Sequence, residues 1–436
     1  MPPGSVVPGG WVAGRGPGHD PAMKPPPPAT DGNGYQPHID GIRAIAVSAV
    51  FFHHLFPRFC VGGFTGVDVF LVISGFLISR GIFADHDAGT FTLSSFYHRR
   101  AKRIVPAFTL VLVSVLLASA LLFSHAQFAT VAKTALYSSA FSANIYFFLN
   151  SGYFSPAAQE NPLLHLWSLG LEEQFYLFLP MFCLWISGRS RTRRVVILGA
   201  AGMGSLMLAV WQLRYGSIQY AFFLLPHRAW EFLAGVVLAA LPGRGENRFT
   251  RILGGVGLIL VLLPCLLLDK NASFPGVRAL PSVTGALLLL RYGDAGVTGR
   301  LLCLGPVAAL GKMSYSLYLW HWPVILFWRY LTFDQPGPAD YAGMVVLSLL
   351  LARGTLLFVE DPVRRHARLR PSITLPASAL LFLGIGAFSW AIVATDGGIG
   401  ILHRNLDGFD HGGAWEGEIK DLQITVSPAG TPSPGA

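Results

Sequence analysis

The sequence predicts an all-α, polytopic membrane protein with about eleven transmembrane helices, a cytoplasmic N-terminus and an extracytoplasmic C-terminus. Of its 436 residues, 52% are hydrophobic and only 13% are charged, whereas a soluble domain carries roughly 25% charged residues. Apolar runs with almost no charge recur along the chain, and each is close to the ~20 residues that cross a ~30 Å hydrocarbon layer. This composition excludes a water-soluble globular protein.

The boundaries of the predicted spans follow from apolar length, and their orientation follows from loop charge. Lys and Arg are concentrated in the loops 99–103, 189–194 and 364–370, which all fall on one side of the membrane in an eleven-span scheme. The positive-inside rule makes that side cytoplasmic. The predicted spans are 40–57, 66–84, 105–124, 163–187, 195–213, 222–241, 252–268, 277–291, 307–330, 342–358 and 374–394.

These spans divide the chain into four predicted parts. Residues 1–38 are rich in Pro and Gly and predict a disordered tail, 39–373 form a core of ten spans, 374–394 form the eleventh span, and 395–436 form a short extracytoplasmic tail. One further apolar segment, Thr134–Asn150, contains Ser and Asn side chains that suit a protein-lined or watery surface better than lipid. We therefore expect a re-entrant or surface-lying stretch there.

The charge and cysteine patterns exclude two other classes of function. The formal net charge of +9 comes from cations in short loops between spans, so it reports topology and predicts no nucleic-acid partner. The four cysteines have no metal-like spacing, and the sequence predicts neither a metal site nor a disulfide framework. The lipid bilayer is the expected partner of the apolar surface.

The first predicted span carries two ionisable residues, which are costly in a membrane and usually face a cavity or a partner. Arg43 and His54 are eleven residues apart, a spacing that returns to within about 20° of the same helix face. One interpretation is that both project into a functional groove. The other is structural: His54 forms a hydrogen bond inside the bundle, and Arg43 extends to a lipid phosphate.

Two later spans also place polar side chains on one face. These are His165, Ser168, Glu172 and Tyr176 in the fourth span, and Ser314, Tyr318 and His321 in the ninth. Glu172 is expected near mid-membrane, where a carboxylate must be paired, protonated or solvated. Glu173 points to a neighbouring face, and a structural role and a catalytic role fit it equally. The same alternatives stay open for His321, whose Trp and Pro neighbours are also typical of helix packing.

Charged residues at the ends of spans complete the set. Asp68 begins the second span, and Arg228 and Glu231, three residues apart in the sixth, are expected to form a mutual ion pair. Arg100 and Arg103 share one face at the start of the third. The usual role of such a basic cluster is to set the orientation of the chain in the membrane and to contact anionic lipid. A second interpretation is that the planar guanidinium groups grip the phosphates of a polyphosphate ligand from the cytoplasm.

Six sequence strings connect these residues to a known family. They are Ile39–Ala44 followed by His54, with ten residues between Arg43 and His54, Gly66–Ile78 (GVDVFLVISGFLI), Phe96–Pro106 (FYHRRAKRIVP), His165–Tyr176 (HLWSLGLEEQFY), Ser314–Pro323 (SYSLYLWHWP) and Val359–Pro362 (VEDP). In this order, over residues 35–400, the chain resembles acyltransferase family 3, the integral-membrane O-acyltransferases that modify bacterial surface glycans and some macrolides. Leu71 is a departure, because such proteins often have a second Phe there.

The resemblance implies a multi-pass enzyme of the bacterial cytoplasmic membrane that uses acyl-CoA, most often acetyl-CoA, as a cosubstrate, with no tightly bound cofactor. The acceptor would be a glycan or macrolide hydroxyl; O-antigen, exopolysaccharide and peptidoglycan sugars all fit. The residues expected to act in catalysis are His54, Glu172, Glu173 and His321, and those expected to bind substrate are Arg43, Asp68, Arg100, Arg103 and Tyr176.

The resemblance also suggests which of these residues bind the donor and which transfer protons. Arg100 and Arg103 are expected to bind the CoA phosphates, and the pantetheine arm is expected to pass Arg43 so that the thioester reaches His54. A neutral imidazole can accept a hydroxyl proton near pH 7. A carboxylate such as Glu172 would hold that imidazole in one tautomer. Direct transfer and an acyl-enzyme route both stay open.

Many family members continue into an SGNH-type hydrolase-like domain after the eleventh span. This sequence has the connector Thr395–Gly400 but no Gly-Asp-Ser nucleophile motif after it, which predicts a chain that has lost that domain, is truncated, or acts with a separate SGNH-type partner. A transporter that moves a glycan or an acylated precursor without chemistry is the alternative function, because cavity-lining charges mark transport pathways equally well.

Overall fold

The computed structural model describes residues 35–150, 156–242, 248–269, 273–366 and 369–397, and these residues form helices joined by loops, with no strand among them. The labelled helices are α1 (Pro37–Leu55), α2 (Gly66–Asp87), α3 (Leu93–Leu122), α4 (His125–Ser139), α5 (Ala143–Asn150), α6 (Leu166–Ser187), α7 (Arg191–Tyr215), α8 (Leu225–Ala240), α9 (Arg248–Leu267), α10 (Leu280–Tyr292), α11 (Ser314–Leu331), α12 (Pro338–Thr355) and α13 (Pro371–Ala394). Shorter helical segments are Gly63–Thr65, Pro156–Gln159, Ile218–Phe223, Gly276–Ala279, Gly296–Leu302, Gly305–Lys312, Leu356–Glu360 and Asp361–Arg365.

The helices confirm the predicted all-α, polytopic fold. Eight helical segments in the described ranges are long and apolar enough to cross a membrane, by length and composition. The other three predicted spans correspond to α1, to α10, and to the short helix Gly305–Lys312 followed by α11. The orientation of the two termini stays a prediction.

The predicted tails lie almost wholly outside the described residues. Of 1–38 the structure describes only 35–38, and α1 already begins at Pro37; of 395–436 it describes only 395–397. The predicted disorder of the first tail and the position of the second therefore stay predictions.

The segment Thr134–Asn150 is not one continuous helix. A turn at residues 140–142 separates α4 from α5, and Phe141 in this turn has a φ of 50°. The Phe141 carbonyl accepts a hydrogen bond from Nε2 of Gln174 at 3.0 Å, which fixes the turn against α6. A broken helix whose freed carbonyl bonds to a neighbouring helix suits protein-lined surroundings, as predicted for this segment. Its depth in the membrane stays a prediction.

Close helix contacts hold α2 inside the bundle. A Cβ atom added to Gly75 of α2 would lie 2.0 Å from the carbonyl oxygen of Phe232, and one added to Gly235 of α8 would lie 2.1 Å from the carbonyl oxygen of Val72. Only glycine permits this approach of two backbones, which is a common way to pack helices without water. Helix α2 also contacts α1 and α6, so it forms one wall of the space between them.

Candidate active site

A cavity lies between α1, α2, α3, α6 and α11. Its floor and walls combine charged and hydroxyl side chains with apolar side chains of α2 such as Phe70, Leu71 and Leu77. A mostly apolar pocket with a few converging polar groups is the usual form of a small-molecule site.

Three arginines line this cavity: Arg43 from α1 and Arg100 and Arg103 from α3. Arg43 forms an ion pair with Asp40 at 3.3 Å. Neither Arg100 nor Arg103 has a carboxylate within ion-pair distance in the part of the chain that the structure describes; Arg100 instead lies over the ring of Tyr176, with 6.0 Å between Cζ and the ring centroid. Two guanidinium groups that face the cavity and have no ion-pair partner among the described residues can bind an anion.

The other cations of the same loop are engaged elsewhere. Arg99 forms an ion pair with Asp85 at 2.5 Å, and Nζ of Lys102 donates to the carbonyl of His366 at 3.0 Å. Because residues three apart share a helix face, Arg100 and Arg103 turn to the cavity while their neighbours do not. The structure thus brings together the pair that the sequence singles out.

The predicted carboxylates lie beside the arginines and not beside His54. Glu172 lines the cavity, accepting hydrogen bonds from Oγ of Ser74 at 2.9 Å and from the hydroxyl of Tyr176 at 3.4 Å. Oε1 of Glu173 is buried with no hydrogen-bond partner in the described part of the chain, and Arg100 and Arg103 lie close enough to act on it electrostatically. Neither carboxylate contacts His54, so the expectation that one of them orients that imidazole is replaced by a different arrangement.

The partner of His54 is His321. Nδ1 of His54 lies 3.1 Å from Nε2 of His321, and Nδ1 of His321 lies 2.6 Å from the carbonyl oxygen of Tyr318. A carbonyl can only accept a hydrogen bond, so Nδ1 of His321 carries the proton and, in the neutral ring, its Nε2 is an acceptor. Nδ1 of His54 must then donate, which leaves the lone pair on Nε2 of His54. The histidine pair therefore holds His54 in the tautomer that a general base requires.

The cavity stops short of this histidine pair. Tyr318 lines the cavity, and its hydroxyl lies 2.7 Å from Oγ of Ser168 and 2.8 Å from the carbonyl oxygen of His165. Its ring also contacts that of His321, with 5.3 Å between the ring centroids. Neither His54 nor His321 lines the cavity, so the cavity does not provide the expected passage from the arginines to His54, and Tyr318 is a lining residue that contacts the histidine pair.

Asp68 lies in a different cluster from the other predicted binding residues. Nη1 of Arg228 is 2.9 Å from Oδ1 of Asp68 and 2.9 Å from Oε1 of Glu231, and all three side chains are at most 1% exposed. The predicted Arg228–Glu231 pair is confirmed. Asp68 does not line the cavity, and because a buried carboxylate needs a cationic partner, its contact with Arg228 assigns it to holding α2 against α8.

Three residues of the site carry no assigned role in the sequence analysis. Ser74 is a single hydroxyl within an apolar run, which is a weak signal. His165 is 2% exposed, and its ring contacts that of His321 at 5.7 Å. Tyr318 and His165 lie on the polar faces that the helical periodicity identifies, so their spacing is the signal that locates them. In the described ranges, no group of three or more His, Cys, Asp or Glu residues is arranged to hold a metal ion.

Comparison with known proteins places this site in a family. A family model described as an acyltransferase domain matches residues 37–355, which is most of the chain. The chain belongs to the acyltransferase family. This confirms the resemblance seen in the sequence, and the cavity and the histidine pair both lie within the range that the acyltransferase model matches.

Individual relatives of this acyltransferase-family chain are O-acetyltransferases by name. The chain is 30% identical over 350 residues to O-acetyltransferase OatA of Staphylococcus aureus (strain NCTC 8325 / PS 47), covering 76% of this chain and 57% of that protein. It is 29% identical over 359 residues to peptidoglycan O-acetyltransferase OatA of Listeria monocytogenes, covering 76% and 56%. The chain thus spans little more than half the length of these curated relatives. No solved structure matches it.

Proposed function

We propose that this chain is a membrane-bound O-acetyltransferase that moves an acyl group from cytoplasmic acyl-CoA to a hydroxyl of a cell-surface glycan. The observation that carries the proposal is the cavity with Arg100 and Arg103, which lack ion-pair partners among the described residues, next to a histidine pair fixed in the general-base tautomer. The names of the Staphylococcus and Listeria relatives support the same chemistry.

The cavity suits acyl-CoA as the donor. CoA carries several phosphate charges on one end of a thin, uncharged arm that ends in the thioester. Arg100 and Arg103 would bind the phosphates through charge-assisted hydrogen bonds, and Arg43 lines the same cavity. The apolar residues of α2 would surround the arm. The predicted cytoplasmic position of the loop 99–103 gives the donor access from the compartment that contains CoA.

The reaction is an acyl transfer between sulfur and oxygen. Nε2 of His54 would take the proton of the acceptor hydroxyl while its oxygen attacks the thioester carbonyl. The carbon–sulfur bond then breaks, and the CoA thiolate leaves and takes up the proton that His54 accepted, which restores the neutral imidazole. His321 would stabilise the charge that develops on His54 through its hydrogen bond to Nδ1. Because the cavity does not reach the pair and Tyr318 contacts both, we expect the Tyr318 side chain to move when the thioester meets His54.

The acceptor we favour is a cell-wall glycan. The Listeria relative is named as a peptidoglycan O-acetyltransferase. Loop charge predicts that the end of α1 that carries His54 is extracytoplasmic, so His54 would lie on the side of the membrane where the sugar hydroxyls of the cell wall are found. The bacterial cytoplasmic membrane is the corresponding location.

The test is an acyl-transfer assay on the purified, full-length protein. Radiolabelled acetyl-CoA is incubated with the protein with and without isolated cell-wall glycan, beside the variants His54→Ala and Arg99→Gln. We expect label to reach the glycan with wild type and Arg99→Gln, because Arg99 is paired with Asp85 and lies outside the cavity lining, and not with His54→Ala. Absence of transfer, hydrolysis and self-acylation in the wild type would instead favour a transporter.

A further inference from the structure

The hydrogen bond between Ser74 and Glu172 shows which residues of α2 and α6 lie at the same level of the cavity. Oγ of Ser74 on α2 donates to Glu172 on α6, so these two residues lie at the same level. Residues four apart on a helix lie on the same face about 6 Å apart along its axis. One turn below this level lie Ile78 and Tyr176, the side chain over which Arg100 lies.

On α6 and α11 the lining of the cavity ends one turn above the Ser74–Glu172 level, whereas on α2 it continues to Val67. Phe70 of α2 and Ser168 of α6 reach this level together, and Tyr318 of α11 completes it. The Tyr318 hydroxyl donates to the His165 carbonyl at 2.8 Å and accepts from Oγ of Ser168 at 2.7 Å, while the ring of Phe70 meets the Tyr318 ring edge-on at 6.3 Å. We call Phe70, Ser168 and Tyr318 the end wall.

The two ends of the cavity therefore differ in chemistry. The guanidinium groups of Arg100 and Arg103 lie toward one end, and the rings of Phe70 and Tyr318 lie toward the other. If acyl-CoA binds with its phosphates at the arginines, its acyl group points toward the end wall. Each additional methylene of the acyl chain must then displace a ring that packing and hydrogen bonds hold in place.

We infer that the end wall sets the length of the acyl group, with Phe70 as the specificity-determining residue that restricts the donor to short acyl-CoA. The inference rests on the proposed function. It goes beyond that function because it names the feature that selects acetyl over longer acyl groups. The hydroxyls of Tyr318 and Ser168 fix the wall, and the Phe70 ring supplies the bulk that excludes methylene groups.

The experiment compares acetyl-CoA with butyryl-CoA on purified protein in detergent, with release of free CoA thiol as the readout in the presence of cell-wall glycan. Phe70→Ala should raise the ratio of kcat/KM for butyryl-CoA to that for acetyl-CoA by at least about 10-fold, since one methylene in an apolar pocket is worth roughly 10- to 200-fold. Phe70→Leu removes less volume and should raise the ratio less.

Leu77→Ala is the matched control. Leu77 lines the same cavity from the same helix face, seven residues from Phe70 and nearer the arginines, so its truncation also enlarges the cavity but not at the end wall. The ratio should stay at the wild-type value in this variant. An equal rise in Leu77→Ala and Phe70→Ala, or no rise in either Phe70 variant, would overturn the inference.

Failure of the proposed function gives a different result. If the wild type releases no CoA from acetyl-CoA and does not bind it, measured by retention of radiolabelled acetyl-CoA on the immobilised protein, the donor assignment itself is lost. If the wild type uses acetyl-CoA and both Phe70 variants keep its preference, the donor assignment stands and only the end-wall inference is lost. A Phe70→Ala protein that does not fold leaves Phe70→Leu as the deciding variant.

Discussion

The hydrogen bond between His54 and His321 allows a prediction for substitutions of His321. The prediction depends on which atom donates and which accepts in the two hydrogen bonds that the His321 ring forms. In the structure, the Tyr318 carbonyl accepts from Nδ1 of His321, and Nε2 of His321 accepts from Nδ1 of His54. Leucine at position 321 would remove both functions of the ring. Glutamine would keep one acceptor and one donor on its amide, which can satisfy His54 and the Tyr318 carbonyl together.

The size of the effect follows from what His321→Leu leaves unpaired. The buried N–H of His54 would lose its acceptor, and an unsatisfied buried donor costs about 1–3 kcal/mol. Since 1.4 kcal/mol is a factor of ten, kcat should fall by roughly 5- to 150-fold. The KM for acyl-CoA should not change, because His321 does not line the cavity.

The assay is transfer of radiolabel from acetyl-CoA to cell-wall glycan by the purified variants, with membrane extraction yield and thermal unfolding in detergent as controls for folding. We expect His321→Gln to recover most of the activity that His321→Leu loses. Equal activity of the two variants would refute the donor and acceptor order deduced from the geometry. A loss confined to KM would show that His321 binds the donor.

Three other perturbations test separate parts of the structure. His54→Ala should lower transfer by about 10²–10⁴-fold while leaving the protein in the membrane, because it removes the general base; a wild-type turnover number measured in the same assay would exclude His54 from the reaction. Arg103→Gln should raise the KM for acetyl-CoA by roughly 10- to 150-fold, because it removes a charge-assisted hydrogen bond that contributes about 1.5–3 kcal/mol to binding. Arg99→Gln should leave this KM unchanged. Arg228→Met should lower the free energy of unfolding by about 3–5 kcal/mol, since it leaves two carboxylates buried without a cation, and Glu231→Gln, which keeps the Asp68–Arg228 pair, should lower it much less in thermal unfolding.

The helical fold could be predicted from the sequence because a chain that spans a membrane can adopt only a few backbone structures. Every predicted span coincides with a helix or with two helices in succession, because runs of about twenty apolar residues satisfy their backbone groups only as helices in lipid. Breaks inside apolar segments are harder to predict. The turn at Phe141 depends on a hydrogen bond from Gln174, a residue thirty-three positions away, and no local pattern contains that contact.

The candidate site was predictable within each helix but not between helices. Periodicity correctly places Arg100 with Arg103, and Glu172 with Tyr176, since each pair needs only one helix. Which helices face each other is a tertiary property. The sequence therefore offers carboxylates as partners of His54, whereas the bundle brings His321 there from 267 residues away.

The division of the site by Tyr318 constrains any mechanism for this chain. Tyr318 lines the cavity together with the arginines and contacts His321 of the histidine pair, and its hydroxyl forms hydrogen bonds with Ser168 of α6 and with the carbonyl of His165 just before that helix. A neutral hydrogen bond contributes only about 1 kcal/mol net, so binding of the donor can supply the free energy that displaces the ring. A ring that keeps this position until the donor is bound would keep acceptor and water away from the thioester, which favours transfer over hydrolysis. Displacement of the Tyr318 ring would thus couple donor binding to exposure of His54, while Phe70 stays in place and restricts the acyl group.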